Sequence, residues 1–502
     1  MKVLLVAATT PAFQRAFANS SNLPNGLLFI GAMLEKHGHE VQVYDGFMDD
    51  RTPTELAQFK PDVIGFSVIV GPNMEAAIDY SKQFKSLLPG VKIAWGNVSP
   101  SVLTEQTLAE EYIDFAVIGA GEHTMAELCD HLEKGSPARL EDIRGLAFKD
   151  TSGQVVINEH RPFVRDMDEL PDPAWHLVDA ARYRELDLNT SRGCAFHCAF
   201  CYNDSFNKGS LGYLSAERLI AQIQHLQKTY GARHIRFNDD NFTFNRKRLR
   251  DFCSLLKEKR IKLTWSCDCR ADLSAEDAAM MSRAGCVSVT LGFETGSQRM
   301  LNFIQKGITV DQMIKTFWLL IKHKIRASLY IMHGFPTETA EDFKATHELL
   351  ARLDNPYYLY NRFRPLPGTK LFDYCIDHRL INPPETLAEW PEYMMQYSNR
   401  INLSDVPDSM INEAMAHYLN TYALNRFRFT LKHDPGYFRI ILTNPRKFLR
   451  EVLSLIKNQI YVVKSKKHLS GFAVSLKEAH AKLASKPARG IRIHEIGECI
   501  NN

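Results

Sequence analysis

The sequence predicts an α/β protein with a doubly wound, Rossmann-like N-terminal domain, a partial (β/α)6 barrel of the TIM type and a mainly helical C-terminal extension. Two observations support this prediction. Short β-rich runs alternate with helical segments in residues 1–140 and again in residues 185–400. The chain has 502 residues, of which 45% are hydrophobic and 24% charged, which is typical of a globular protein with more than one domain.

Five predicted strands form the domain of residues 1–140. Their sequences are KVLLVA, EVQVYD, DVIGFSVIV, VKIAWG and DFAVIG, and helical segments such as LLFIGAMLEKHG and MEAAIDYSKQFKSLL separate them. Continuous apolar strands joined by helices are typical of a parallel sheet that is covered on both faces. The ligand crevice of such a sheet lies beyond the carboxyl ends of its strands.

Small residues follow three of these strands. Gly71 follows the third strand, Gly96 the fourth, and Gly119 and Glu122 the fifth. Glycine lets a ligand approach the backbone closely. Ordinary turns explain each glycine alone, but their occurrence along one edge favours a ligand site there.

Residues 141–184 are predicted to be a hairpin and linker, because the stretch from GLAFKD to ELPDPAWHL is rich in proline and acidic residues. The β/α alternation then resumes in residues 185–400. Its six strands are ELDLNTS, HIRFNDD, KLTWSCD, VSVTLGFE, RASLYIMHG and YYLYNRFRP. Six βα units predict three quarters of a barrel, whose active edge is formed by the carboxyl ends of the strands.

Three cysteines follow the first barrel strand in the segment TSRGCAFHCAFCYN. Cys194, Cys198 and Cys201 have the spacing C-x3-C-x2-C, with Phe200 before the last of them. Structural zinc takes four protein ligands, and Fe–S clusters are usually held by four thiolates. A triplet therefore leaves one metal position open for a small chelating ligand, although a zinc site or a plain electron-transfer cluster could use the same spacing.

The triplet and its surroundings resemble the radical S-adenosylmethionine superfamily, in the subgroup that has an N-terminal cobalamin-binding domain. The motifs TSRGC, FNDDNF, GFETGS, GFPTET and PLPGT occur in the order and spacing of that subgroup, and the resemblance covers residues 1–400. It implies that the three cysteines hold a 4Fe-4S cluster. It also implies that the amino and carboxylate groups of S-adenosylmethionine chelate the fourth iron.

The resemblance extends to residues that follow the other barrel strands. It implies that Asp239 and Asp240 lie near the methionine amino group, Arg270 near its carboxylate, Glu294 near the ribose hydroxyls and Gly334 beside the adenine. The charges agree with these roles, because a guanidinium suits a carboxylate and a carboxylate suits an ammonium or a pair of hydroxyls. Salt bridges among the charged residues of the rim are the alternative interpretation.

The N-terminal domain is similar to the cobalamin-binding module. Ser67 opens an approximate S-x-L element (SVI), and Gly96 opens an approximate G-G element, in which Asn97 replaces the second glycine. Gly119 and Glu122 belong to the same expected cobalamin edge. The family element D-x-H-x-x-G is absent from TTPAFQRAFANSSNLPNG, so we expect cobalamin to bind without a protein histidine on cobalt.

The implied enzyme cleaves S-adenosylmethionine to a 5'-deoxyadenosyl radical and uses cobalamin as a methyl carrier. We therefore expect C-methylation of an unactivated carbon in a small-molecule or lipid-like biosynthetic intermediate. The expected partners are that substrate and a reducing flavodoxin or ferredoxin, with no nucleic acid. One alternative is a cobalamin-dependent oxidative cyclase or rearrangement enzyme, and another is a non-catalytic redox or light sensor.

Two predictions concern residues outside these motifs. In KLTWSCDCR, strand alternation places Trp265, Cys267 and Cys269 on one face, where packing is favoured over substrate contact. His333, at the end of the fifth barrel strand, is either a proton donor or a buried core histidine.

Residues 401–502 are predicted to be a basic helical extension. Between Arg426 and Lys467 there are eleven Lys or Arg residues and two acids, although the whole chain has a net charge of only +3. The segment NPRKFLREVLSLIKNQIYVVKSKK has apolar residues at helical spacing, which favours either packing on the barrel or contact with an anionic membrane surface. The sequence shows neither a signal peptide nor a membrane-spanning run, so we expect a cytoplasmic protein with this helix as its one route to a membrane.

Overall fold

The computed structural model describes residues 1–11, 13–14, 22–133, 139–183, 185–355, 357–399, 401–415 and 418. Residues Met1–Ile411 form one compact unit, and the features below belong to it. Residues Asn412–Asn502 form a second unit, and the predicted helix of residues 444–467 lies outside the described residues. Within the described ranges, no helix combines the length and the apolar character that a bilayer span requires.

The N-terminal sheet contains the five predicted parallel strands. They are β1 Lys2–Ala7, β2 Glu40–Asp45, β3 Val63–Ser67, β4 Lys92–Gly96 and β5 Phe115–Val117. Their order is β2-β1-β3-β4-β5, which is doubly wound with its switch point between β1 and β3. Ligand crevices form at such a switch point, so the order itself places a site beside the carboxyl ends of β1 and β3.

The hairpin that the sequence places in the linker belongs to this sheet. Strand β6 Leu146–Lys149 pairs antiparallel with β5, and β7 Val155–Ile157 pairs antiparallel with β6. Leu146, Ala147 and Phe148 are buried, so the hairpin adds apolar side chains to the core of the first domain. The first sheet therefore continues past residue 140, to the end of β7.

The second sheet is the predicted partial barrel. Its six strands are β8 Leu186–Leu188, β11 His234–Phe237, β12 Thr264–Cys269, β13 Cys286–Glu294, β14 Arg326–His333 and β15 Tyr358–Arg362. They are all parallel and lie in chain order from β8 to β15. A separate antiparallel ribbon of β9 Ser191–Gly193 and β10 Leu211–Tyr213 follows the first barrel strand.

Helices connect the parallel strands. In the first domain they are α1 Asn25–Lys36, α2 Pro53–Leu56, α3 Pro72–Leu87, α4 Val98–Val102, α5 Thr104–Ala109 and α6 Glu122–Leu132. In the barrel region they are α7 Asn203–Phe206, α8 Ala216–Tyr230, α9 Arg246–Glu258, α10 Ala275–Arg283, α11 Gln298–Phe303, α12 Val310–Lys322, α13 Ala340–Leu353, α14 Lys370–Asp377 and α15 Trp390–Asn399. Short 3₁₀ helices occupy Ala57–Phe59, Leu140–Asp142, Met167–Glu169, Trp175–Leu177, Ala180–Arg182 and Leu387–Glu389.

Polar caps fix where the barrel helices begin. The hydroxyls of Ser274, Thr309 and Thr339 each accept the backbone N–H three residues later, and the side chain of that later residue accepts the backbone N–H of the cap. These reciprocal bonds satisfy donors that a helix leaves free in its first turn. These caps therefore fix the residues at which α10, α12 and α13 begin.

Candidate functional site

The carboxyl ends of both sheets line one cavity of about 720 Å³. From the first sheet it takes Ser67, Gly96 and Gly119, and from the barrel side it takes Cys194 and Glu294. The two ligand edges that the topology requires therefore face the same space. Ligand sites commonly occupy such crevices between packed halves of a fold.

The segment that carries the cysteines is shaped by tight backbone contacts. Gly193 has φ 80°, and a β-carbon there would lie 2.0 Å from the carbonyl oxygen of Ser210. Gly212, on the opposite strand of the ribbon, has the Val164 carbonyl oxygen 2.1 Å from the same position. Both positions therefore exclude every residue except glycine, and the ribbon directs the chain toward the cavity.

Cys194, Cys198 and Cys201 all line the cavity. Burial raises the pKa of the Cys194 thiol and raises the pKa of the Cys201 thiol to about 12. The Ala199 amide donates to the Ile304 carbonyl at 2.9 Å, which ties the loop between the cysteines to the end of α11. Among the described residues, no three His, Cys, Asp or Glu side chains converge closely enough to hold one metal ion. A cluster offers a separate iron to each thiolate, so its ligands do not need to converge on one point.

Asp239 holds the cysteine segment. Its Oδ1 accepts from the amides of Thr190 (2.6 Å) and Ser191 (3.0 Å), and its Oδ2 accepts from the Thr190 hydroxyl at 2.6 Å. The guanidinium of Arg248 lies 3.8 Å from the same carboxylate and donates to the Thr190 carbonyl at 3.1 Å. Asp239 is buried, and protein donors occupy both of its oxygens, so its contacts are those of a positioning residue.

Asp240 lines the same cavity as Asp239, but Asp240 is exposed whereas Asp239 is buried. The surrounding protein desolvates it, and this raises the pKa of its carboxyl although Asn203 lowers it by hydrogen bonding. Asp239 also raises the pKa of Asp240 by like-charge repulsion. Of the two aspartates, Asp240 is the one placed to meet a ligand.

Arg270 is buried at the edge of the cavity, with its guanidinium carbon 4.0 Å from the centroid of the Phe196 ring. Its Nη2 donates to the Lys306 carbonyl, and its backbone N–H donates to the Asn241 Oδ1 at 3.4 Å. The Phe196 ring supports the flat face of the guanidinium, which leaves its edge to bind a carboxylate.

Glu294 is paired with a lysine that the sequence analysis missed. Lys306 Nζ lies 2.8 Å from Glu294 Oε1, and both side chains are buried. Burial lowers the pKa of Lys306, but the Glu294 carboxylate and Cys198 both raise it, and the net shift of the pKa is upward. Glu294 has φ 62° at a break in the pairing of β13 with β14, a backbone geometry that recurs at functional sites. A lysine before a glycine in QKGIT is an ordinary helix ending, so no local pattern indicates this pair.

Of Phe200 and Gly334, only Phe200 lines the described cavity. The Phe200 ring lines the cavity beneath the Lys306 ammonium, 5.7 Å away, and packs against Phe335 at 5.9 Å between centroids. Gly334 has φ 85° and is not among the residues that line the described cavity. Its N–H donates to Glu338 Oε2 at 2.6 Å, so its established contact is with the protein.

At the first-sheet edge, Asn97 replaces the expected second glycine without changing the backbone. It has φ 81° and ψ −159°, a region that only glycine enters freely. Its Nδ2 donates to Ser67 Oγ at 3.0 Å, and its Oδ1 accepts from the Val98 amide at 2.8 Å. Neighbouring Gly96 lines the cavity, and a β-carbon there would meet Val117 at an ordinary 3.6 Å.

The residues outside the motifs are buried, as packing requires. Trp265, Cys267 and Cys269 are each at most 5% exposed, which agrees with packing, although Cys269 also touches the cavity wall. His333 is fully buried, and its Nδ1 lies 2.9 Å from Glu338 Oε1. Since His333 does not line the described cavity, the core interpretation is favoured over the proton donor.

Two family models match the chain in tandem. The B12 binding domain matches residues 18–129, and the Radical SAM superfamily matches residues 188–350. Over 393 residues the chain is 33% identical to an uncharacterized methyltransferase of Pyrococcus horikoshii, which covers 76% of this chain and 84% of that protein. The chain belongs to the cobalamin-binding radical S-adenosylmethionine enzymes. A more distant relative is the anaerobic magnesium-protoporphyrin IX monomethyl ester cyclase of Rubrivivax gelatinosus, which is 24% identical over 64% of this chain and 60% of that protein.

Solved structures of this family share the fold. The cobalamin-dependent radical enzyme OxsB with aqua-cobalamin bound has a TM-score of 0.62 at 21% identity, over 83% of this chain and 61% of that chain. The methyltransferase TsrM of Kitasatospora setae with cobalamin and a 4Fe-4S cluster bound has a TM-score of 0.65 at 17% identity, over 78% of this chain and 84% of that chain. The predicted order of a B12-binding domain followed by a radical core is confirmed.

Family membership also confirms the predicted cofactors, which are a 4Fe-4S cluster, S-adenosylmethionine and cobalamin. The cavity fits them. Three thiols on one loop suit a cluster with an open iron, and the Arg270 guanidinium and the Asp240 carboxylate suit the two ends of an amino acid. The glycine-lined edge of the first sheet leaves room for a large flat ligand.

Proposed function

We propose that this enzyme transfers a methyl group to a carbon atom of a small polar molecule held in the cavity. The observation that supports the proposal is that the three cysteines and the edge of the B12-binding domain line the same space. When bound, the cofactors supply reductive cleavage of S-adenosylmethionine and carriage of a methyl group. The protein contributes binding, orientation and exclusion of water.

Each polar side chain of the site has a task in this proposal. Cys194, Cys198 and Cys201 would hold the cluster. The Asp240 carboxylate would accept from the ammonium of S-adenosylmethionine, and the Arg270 guanidinium would donate to its carboxylate. Glu294 would accept from the ribose hydroxyls while Lys306 donates to its Oε1. Asp239 and Gly334 would act indirectly. Asp239 holds the cysteine segment, and Gly334 holds the end of β14 through its hydrogen bond to Glu338.

At the first-sheet edge, Ser67, Gly96 and Gly119 would face the corrin. Asn97 would keep the turn beside Gly96 in its glycine-like conformation. We keep the expectation that cobalamin binds without a protein histidine on cobalt, because the element D-x-H-x-x-G is absent from the sequence.

The barrel wall favours a polar substrate over a lipid-like one. Asp268, Thr290 and Tyr330 line the cavity. Arg236 donates to both oxygens of Asp268 at 2.9 and 2.8 Å, and the Tyr330 hydroxyl donates to Asp268 at 3.3 Å. An apolar tail placed against these groups would strip them of water without replacing its hydrogen bonds.

The test is anaerobic reconstitution of the cluster and cobalamin, followed by incubation with S-adenosylmethionine that carries a deuterated methyl group, a chemical reductant and a small-molecule extract. In the cell, a flavodoxin or ferredoxin would supply the electrons. We expect S-adenosylhomocysteine and a metabolite that carries the labelled methyl group, both measured by mass spectrometry. Cys198→Ala should abolish both products, whereas Cys375→Ala, at a buried cysteine away from the cavity, should retain them.

A second candidate is oxidative cyclisation without methyl transfer, which the relative named as a cyclase supports. Formation of 5'-deoxyadenosine without S-adenosylhomocysteine and without a labelled product would indicate the cyclase. A reconstituted protein that does not consume S-adenosylmethionine would indicate the sensor.

A further inference from the structure

An ion pair joins the first turn of α6 to the segment that carries the cysteines. The Arg192 Nη2 donates to Glu122 Oε1, and only 3% of Glu122 is exposed. The guanidinium carbon of Arg192 also lies 4.9 Å from the centroid of the Phe29 ring in α1. Arg192 therefore reaches from β9, two residues before Cys194, onto two helices of the B12-binding domain.

The second oxygen of Glu122 has no donor. Glu122 Oε2 is buried, and no described residue donates a hydrogen bond to it, although Glu122 lines the cavity. A buried carboxylate oxygen that lacks a donor is unfavourable. The oxygen itself has almost no surface open to the cavity, so a ligand N–H group at this point of the wall would satisfy it once the carboxylate turns toward the cavity.

The segment that carries Arg192 is held rigidly in the barrel. The Thr190 and Ser191 amides are fixed by Asp239, and Gly193 packs against the Ser210 backbone. A shift of the Arg192 side chain is therefore transmitted to the neighbouring Cys194 and is not absorbed by a flexible loop.

We propose that Glu122 and Arg192 couple cobalamin binding to the position of the cysteine segment. Glu122 Oε2 accepts a hydrogen bond from a primary amide on the rim of the corrin, while Oε1 keeps Arg192 in place. The inference rests on the proposed function, which places cobalamin at this edge. Because coupling between two sites is reciprocal, S-adenosylmethionine bound at the cluster changes the affinity for cobalamin by the factor with which cobalamin changes the affinity for S-adenosylmethionine.

The test measures the dissociation constant of hydroxocobalamin by absorbance titration, with and without S-adenosylmethionine, on protein whose cluster is reconstituted. We expect S-adenosylmethionine to change this constant by roughly 5-fold or more in the wild-type protein, a typical size for coupled sites. In Arg192→Met, whose apolar side chain can still pack on Phe29 but which loses the charge and the ion pair, the ratio of the two dissociation constants should approach one. Glu122→Gln, which replaces the free acceptor oxygen with a donor, should weaken cobalamin binding even without S-adenosylmethionine.

Arg161→Met is the matched control. Arg161 pairs with Glu127 of the same helix at 2.5 Å but comes from the segment after β7, far along the chain from the cysteines. In Arg161→Met, the ratio of the hydroxocobalamin dissociation constants with and without S-adenosylmethionine should equal the wild-type ratio. If Arg192→Met fails to incorporate iron, Arg192→Lys, which keeps the charge with one donor group, replaces it and should give an intermediate ratio.

The coupling would be overturned if the ratio of the dissociation constants with and without S-adenosylmethionine were the same in the Arg192 variant as in the wild type. A wild-type ratio of one would overturn it as well. Neither result would contradict the proposed methyl transfer. A wild-type protein that binds no cobalamin would overturn the proposed function as well.

Discussion

At residue 97 the backbone takes φ 81° and ψ −159°, which a residue with a β-carbon adopts at a cost of about 1–3 kcal/mol. The Asn97 side chain offsets this cost with its hydrogen bonds to Ser67 and Val98. The motif comparison in the sequence correctly marks this position as one for glycine. It cannot show that asparagine adopts the glycine conformation, because the compensating bonds join residues 30 positions apart.

Substitutions at Asn97 test whether its two hydrogen bonds offset the backbone strain. Asn97→Gly removes the strain of about 1–3 kcal/mol and both hydrogen bonds, each worth about 0.5–1.5 kcal/mol, so the two effects should largely cancel and change the free energy of unfolding by at most about 2 kcal/mol. Asn97→Ala loses the same bonds and keeps the strain, so it should destabilise the protein by about 1–3 kcal/mol. Urea unfolding of both variants provides the measurement, and equal stabilities for the two would show that the backbone at this position is unstrained.

The buried pair of Lys306 and Glu294 gives a second prediction at this scale. Lys306→Met leaves the Glu294 carboxylate buried without a cation, which should lower the free energy of unfolding by about 3–5 kcal/mol at pH 7. The double variant Lys306→Met, Glu294→Gln removes that charge and should be more stable than the single variant. Denaturant unfolding of the three proteins tests this, and a double variant less stable than Lys306→Met would contradict it.

At the scale of elements, strand β8 is tied to the loop that precedes α1. Asp187 accepts from the Leu23 amide at 2.7 Å and from Asn25 Nδ2 at 2.8 Å, and it is fully buried. Leu23 and Asn25 line the cavity at the switch point of the first sheet. The β/α pattern predicts both elements, but the contact between them joins residues more than 160 positions apart and leaves no local trace.

The contribution of the Asp187 contacts to the free energy of unfolding should depend on pH. Burial raises the pKa of Asp187 to about 7, although its hydrogen bond from Leu23 lowers it. The folded state therefore binds the proton more tightly than the unfolded chain, whose aspartate has a pKa of about 3.9. The contribution of Asp187 to stability is complete below about pH 4, and it is lost as the pH rises to about 7, by up to roughly 4 kcal/mol.

Asp187→Asn removes this titration. The stability of the wild type relative to the variant should therefore fall between pH 5 and pH 8 in urea unfolding. Asp251→Asn, at an exposed carboxylate that pairs with Lys247 on α9, is the control and should show a constant difference. A constant difference for Asp187→Asn as well would show that Asp187 remains ionised throughout this range.

At the scale of the whole molecule, one apolar core supports both walls of the cavity. It runs from Phe66 and Trp95 of the first sheet to Met300, Phe335 and Trp390 of the barrel region. The sequence predicts each sheet and its active edge, because the strand periodicity and the cysteine spacing are local. The union of the two cores, the entry of the β6–β7 hairpin into the first sheet and the ion pair of Arg192 with Glu122 depend on tertiary packing, which no single segment specifies.

A shared core and a shared cavity predict that cobalamin stabilises both sheets together. At 100 times its dissociation constant, a ligand that binds only the folded state adds about 2.7 kcal/mol to the free energy of unfolding. For a unit of residues Met1–Ile411, the entropy of unfolding is about 0.9 kcal/mol/K, so the midpoint temperature should rise by about 3 °C.

Anaerobic calorimetry should show one transition that moves as a whole. Gly96 lines the cavity, and a β-carbon there would meet Val117 at an ordinary 3.6 Å, so Gly96→Ala should keep the ligand-free midpoint and reduce the shift. Two transitions, of which only one responds to cobalamin, would show that the sheets unfold separately and that the common core does not couple them.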